Sequence, residues 1–74
     1  MKLEQIKKSV DEGKLVFFKN PKYRVIKDDL GQYLIKFVPN NSVIGLTDKK
    51  GFLTQDEKNF YTITFKPVIP IFNQ

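Results

Sequence analysis

The positions at which this chain could do chemistry are Asp28-Asp29, Asp48 and Asp56, Ser9 and Ser42, Lys7-Lys8 and Lys49-Lys50-Gly51. Each falls short of a reaction centre. Adjacent side chains diverge in a strand or turn, so Asp28 and Asp29 do not form the facing pair that general acid–base work needs. The aspartates lack the loop spacing of a calcium hand. The two serines have no base to activate them, because the chain contains no histidine, and it contains no cysteine either. That removes the commonest general base, the commonest transition-metal ligand and the thiolate nucleophile together. The lysine pairs lack the glycine-rich cradle that holds a phosphate. The expectation is a protein that binds and does not catalyse, with no catalytic residue, no metal and no cofactor.

Charge narrows what it would bind. Lysine and arginine number 13 against 8 acids, for a net charge of +5. Only Arg24 is an arginine. Lysines attract phosphate as point charges, whereas bidentate reading of guanine edges is mostly the work of arginine. The balance therefore fits loose, salt-sensitive contact with a polyanion, or a plain solubilising surface, better than sequence-specific DNA reading.

The elements that would position these groups are short. At 74 residues the chain is one domain, with a net stability of about 3–5 kcal/mol and no disulfide to add to it. Leu3, Ile6 and Val10 recur on one face and predict a helix over residues 2–12, ended by Gly13 at C′. Strand one is expected over Lys14–Lys19, apolar on both faces and therefore covered on both. Asn20-Pro21 breaks the chain before strand two, Lys22–Lys27, in which Tyr23 and Val25 oppose Arg24 and Ile26. Asp28 to Gly31 turns into strand three, Gln32–Val38, with Tyr33, Ile35 and Phe37 on one face. Pro39 to Ser42 turns into strand four, Val43–Thr47, where Gly45 is the place for an aromatic ring packed on bare backbone. Asp48 to Gly51 closes the next turn. Thr54 to Glu57 matches a capping box with Thr54 as N-cap, in competition with a plain charged loop, and the loop is favoured because the next strand follows so soon. Strand five is Phe60–Phe65, with Tyr61, Ile63 and Phe65 on one side and Thr62 and Thr64 on the other.

The fold class is thus α+β: a helix over residues 1–13 packed on a curved, mainly antiparallel, five-stranded β-meander over 14–66, for which an SH3-like open barrel is one arrangement. The end, 67–74, reads as an apolar segment kept out of a central strand by Pro67 and Pro70. Pro67, Val68, Ile69, Pro70, Ile71 and Phe72 could strap back over the sheet, or dock on a partner protein or a second copy of the chain. The cations placed to meet nucleic acid are Lys22, Arg24, Lys27, Lys36, Lys49 and Lys50. Alternation puts Arg24 and Lys36 on faces opposite Tyr23 and Tyr33, which separates charge from ring and counts against base stacking beside a basic groove. No apolar run approaches the ~20 residues of a membrane span, and no apolar leader precedes the helix, so the cytoplasm is the expected compartment.

Gly31-Gln32, Tyr33-Leu34-Ile35, Ile44-Gly45-Leu46-Thr47 and the turn glycine Gly51 together resemble a set of small uncharacterised proteins of bacteria and their phages or prophages. The resemblance covers roughly residues 13–60 and carries no activity with it. It implies an origin on a mobile element, where small accessory proteins act by binding a host factor. The leading expectation is accordingly a protein-binding module using the end segment or an open sheet edge. A nucleic-acid-binding β domain and a structural homodimer are the alternatives.

Overall fold

The computed structural model describes residues 1–63. One helix, α1 (Leu3–Asp11), is followed by five strands: β1 (Val16–Phe18), β2 (Asn20–Lys27), β3 (Tyr33–Phe37), β4 (Ser42–Gly45) and β5 (Phe60–Thr62). The strands form a single antiparallel sheet in the order β4-β3-β2-β1-β5. The first four are neighbours in sequence and in space, and β5 returns to the far side of β1. β4 and β5 end up at opposite ends of the order, so the sheet is not closed into a barrel.

The helix is held at both ends by local hydrogen bonds. The Lys2 N–H donates to Gln5 Oε1 at 2.9 Å. At the other end the Lys14 N–H donates to the Ser9 carbonyl and the Gly13 N–H to the Val10 carbonyl, with Gly13 at φ 81°. That is the Schellman arrangement, and it needs a residue free to adopt left-handed φ at C′. The buried line of the helix runs through Ile6 and Ser9, with Leu3 and Val10 half-buried beside it. Ile6 packs with Val16, Phe18, Val25, Ile35, Leu46 and Phe60 to form the core. Cross-strand pairs Val25↔Ile35 and Phe18↔Phe60 place this core on one side of the sheet, the side the helix covers.

Several boundaries differ from the sequence expectation. β2 begins at Asn20 and takes in Pro21, where a break was expected. The reversal occurs one residue earlier, at Lys19, which adopts φ 65° while its N–H donates to the Asn59 carbonyl. The register slips between Phe17↔Arg24 and Phe18↔Asn20, and this irregularity accommodates the proline, which has no N–H to offer a regular ladder. Leu15 falls outside β1 and is exposed. Gly45 ends β4, and among the described residues no ring packs on it. A Cβ there would meet the Thr47 carbonyl oxygen at 3.1 Å. Thr54 does not cap a helix; its hydroxyl donates to the carbonyls of Gly45 and Leu46. A short 3-10 turn, Glu57–Asn59, starts three residues after Thr54, capped by the Asp56 carboxylate accepting from the Lys58 N–H. Of the expected strand Phe60–Phe65, β5 covers Phe60–Thr62, and Ile63 follows it outside the strand.

Candidate functional site

Three of the four aspartates that could have done chemistry, Asp28, Asp48 and Asp56, accept backbone hydrogen bonds in turns. Asp28 Oδ1 accepts from the N–H groups of Leu30 and Gln32 at 2.9 and 2.8 Å. Asp48 Oδ1 accepts from those of Lys50 and Phe52 at 2.9 and 3.0 Å. Both turns close with a glycine in left-handed φ, Gly31 at 80° and Gly51 at 88°. The two Asp-x-x-Gly segments are therefore the same device used twice, with an aspartate side chain standing in for a backbone acceptor.

One titratable cluster lies on the surface between the end of α1 and the sheet. The Tyr33 hydroxyl donates to Asp11 at 2.8 Å (Oδ1) and 2.9 Å (Oδ2), and Lys27 Nζ lies 3.2 Å from Oδ1. The ammonium groups of Lys7 and Lys27 sit over the Tyr33 ring at 5.3 and 5.1 Å. The Tyr33 hydroxyl first, and Lys27 and Lys7 after it, hold the Asp11 carboxyl below its ordinary value. The hydrogen bond to Asp11 in turn raises Lys27. The arrangement ties the helix C-terminus to β2 and β3. Asp11, Tyr33 and Lys27 are bonded to one another, which makes the cluster a clamp between helix and sheet.

The six cations singled out for nucleic acid are split three ways. Lys27 points to the helix side and is engaged by Asp11. Lys49 and Lys50 lie on the exposed turn after β4. Lys22, Arg24 and Lys36 share the face opposite the helix, because Arg24 pairs with Lys36 and Lys22 alternates with Arg24. Among the described residues none of the three is in a salt bridge. Strands β1 to β5 contain no aspartate or glutamate, so among the described residues the strands give this face positive charge alone.

That face also carries two rings, Phe17 and Tyr61, which the sequence reading had not set beside the cations. Tyr61 pairs with Phe17, Phe17 with Arg24, Arg24 with Lys36 and Lys36 with Val43. One residue from each strand thus forms a continuous row across the sheet. The Phe17 and Tyr61 rings lie 5.7 Å apart at 43°. Phe17 is only 7% exposed and Tyr61 is half-buried. Tyr23 and Tyr33 do lie on the other side, as expected. The pairing of β5 with β1 brings a different tyrosine to the charge, and no local sequence signal announces that pairing.

The free edge is β4. All four of its residues are exposed, with Val43 at 48% and Ile44 at 49%. The Leu46 N–H donates to the Tyr33 carbonyl. Alternation along an antiparallel ladder then turns the N–H and C=O of Ile44 toward β3 and those of Val43 outward. The neighbouring side chains on the helix side, beyond the reach of α1, form a groove of about 250 Å³ lined by Phe18, Tyr23, Ile35, Phe37 and Ile44. Its rings touch in series, Phe18 and Tyr23 edge to face at 5.9 Å and Tyr23 and Phe37 tilted at 4.9 Å. Beyond Gly45 the edge is covered, since Thr54 bonds to the carbonyls of Gly45 and Leu46. The docking segment Pro67 to Phe72 lies outside the described residues.

Among the described residues no helix is long and apolar enough to cross a membrane. No protein-family model matches the chain, no curated protein is detectably similar in sequence, and no solved structure is detectably similar in fold.

Proposed function

We propose that this chain is a non-enzymatic, protein-binding module that accepts an extended segment of a partner along the edge of β4. It would be the kind of accessory protein that a mobile element directs at a host factor in the cytoplasm. The observation that carries this reading is the state of β4: an end strand, exposed along its length, with the Val43 amide and carbonyl directed outward. An unpaired strand is a template for another chain, and proteins that leave one open use it to add a strand from a ligand. In that mode the backbone supplies affinity and adjoining pockets supply choice. The Tyr23–Phe37–Ile44 groove stands beside the edge on one face, and the exposed Val43 side chain on the other. An apolar side chain of the incoming strand would enter the groove.

A photo-crosslinking side chain placed at Val43 tests this in the source cell, with Leu30 as the control position because it is 83% exposed on a distant turn. The expected result is a discrete protein adduct from Val43, absent from Leu30, that survives nuclease treatment. The reading fails if Val43 gives no adduct beyond the control, if nuclease removes it, or if its mass is that of two copies of this chain.

A further inference from the structure

We propose a second binding surface, separate from the β4 edge: the sheet face opposite the helix binds single-stranded nucleic acid along the row Tyr61–Phe17–Arg24–Lys36. Sequence-tolerant binding of single strands needs aromatic faces for bases and cations for phosphates, side by side in a track. The register supplies both in one line, with Tyr61 packed on Phe17 and the two cations on the next strands. Lys22 adds a third cation on the same face, one alternation along β2 from Arg24. No strand contributes a carboxylate to oppose the phosphates. Among the described residues no salt bridge engages Lys22, Arg24 or Lys36.

The dimensions fit a short segment. Strands lie about 4.8 Å apart, so Tyr61 to Lys36 spans roughly 14 Å, the length of about four stacked nucleotides. Phe17 is buried and acts as the base plate that holds the Tyr61 ring, and Tyr61 offers its solvent side to a base. A duplex keeps its bases stacked inside and offers no face to Tyr61, so single strands are preferred. Nothing on this face reads base edges in a fixed geometry. The preference is for strandedness and charge, with little for sequence.

Fluorescence anisotropy with a labelled oligothymidylate of about 15 nucleotides tests the proposal on the full chain. The double variant Arg24→Gln/Lys36→Gln is expected to weaken binding at least tenfold at low salt and to reduce the log–log salt slope by about 1.4, two phosphate contacts' worth. Tyr61→Ala is expected to weaken it about tenfold, while Tyr61→Phe, which keeps the ring, retains it. Lys49→Gln/Lys50→Gln removes the same charge from the turn and is expected to leave affinity within about twofold. A labelled hairpin duplex is expected to bind more weakly than the single strand. Circular dichroism of each variant identifies any that is unfolded, and Tyr61→Leu, which keeps apolar bulk without an aromatic face, carries the ring test if Tyr61→Ala is among them. The proposal is overturned if the single strand does not bind at 50 mM salt, if the turn variant loses as much as the face variant, or if duplex binds equally well. It is also overturned if oligonucleotide fails to bind and Tyr61→Ala instead abolishes the Val43 adduct, because the face would then belong to the protein partner.

Discussion

β1 and β4 are both short and apolar, and they meet opposite fates in one sheet. Val16, Phe17 and Phe18 are all buried; Ser42 to Gly45 are all exposed. The sequence alphabet does not separate Val-Phe-Phe from Val-Ile-Gly. Position does. β1 has β2 on one side and β5 on the other, with Ile6 and its neighbours over Val16 and Phe18. β4 has β3 on one side and, among the described residues, no strand on the other. Burial on both sides of β1 makes it the strand on which stability rests, and an open side makes β4 the strand available for a ligand. The difference teaches that strand order, more than local composition, decides which apolar strand is buried and which is left exposed.

The sharpest way to break this comparison is to place a proline in each strand. Lys19 donates to Asn59, so alternation turns the Phe17 N–H toward Tyr61. Phe17→Pro therefore removes a ladder hydrogen bond from a central strand and the ring with it, and is expected to cost at least about 3 kcal/mol, enough to unfold the chain. Val43→Pro removes an N–H that faces outward, and proline is tolerated at such edge positions. It is expected to cost no more than about 1 kcal/mol by chemical denaturation. The same variant is expected to lose the partner bound at the β4 edge. Equal destabilisation by the two prolines would show that β4 is not a free edge.

Truncation gives a second, slightly smaller contrast. Phe18 is 5% exposed and touches Phe60, Tyr23 and the core cluster. Phe18→Ala is expected to cost about 3–5 kcal/mol, and Phe18→Leu much less, because the cavity is largely refilled. Ile44→Ala is expected to cost about 1 kcal/mol, since half of that side chain is already in water. Equilibrium unfolding in urea reads all three. At finer grain, hydrogen exchange at Val43 is expected to be fast and at Ile44 slow, because only the second amide is turned toward β3.

What could be read in advance follows the same division between local and distant. The two Asp-x-x-Gly turns were legible because aspartate and glycine at that spacing act within four residues. The helix stop at Gly13 was legible for the same reason. The alternation of Tyr23 and Val25 against Arg24 and Ile26 fixed their faces once β2 was placed. Lys19 was not legible as a turn, since nothing in a lysine favours φ 65°; the hydrogen bond to Asn59, forty residues on, holds it there. The row from Tyr61 to Val43 was hidden for a related reason. It depends on β5 pairing with β1, and loop closure over that distance leaves no mark on either segment. The groove beside β4 depends in turn on where a nine-residue helix stops covering the sheet.

The smallest expected effect lies between the two strands, at the clamp joining α1 to β2 and β3. Asp11 is exposed, and its carboxyl is held below its ordinary value of 3.8 by the Tyr33 hydroxyl and then by Lys27. A carboxylate whose value is lower in the folded chain stabilises the fold fully above its unfolded value and loses that contribution as pH falls through the folded one. The difference in urea midpoint between the parent chain and Asp11→Asn is therefore expected to be constant between about pH 4 and about pH 10 and to shrink as the solution is made more acid. Lys27 is raised above 10.5 by the same hydrogen bond, so its share is present below 10.5 and is lost as pH rises beyond it. Added salt is expected to weaken both, because the groups face water. A clamp of this kind sets where the helix lies without deciding whether the sheet forms. Asp11→Asn is accordingly expected to leave β1 buried and β4 open, and hydrogen exchange in both strands unchanged. If it instead slows exchange at Val43 or speeds it at Phe18, the position of the helix governs the edge, and the contrast between the two strands is not set by strand order alone.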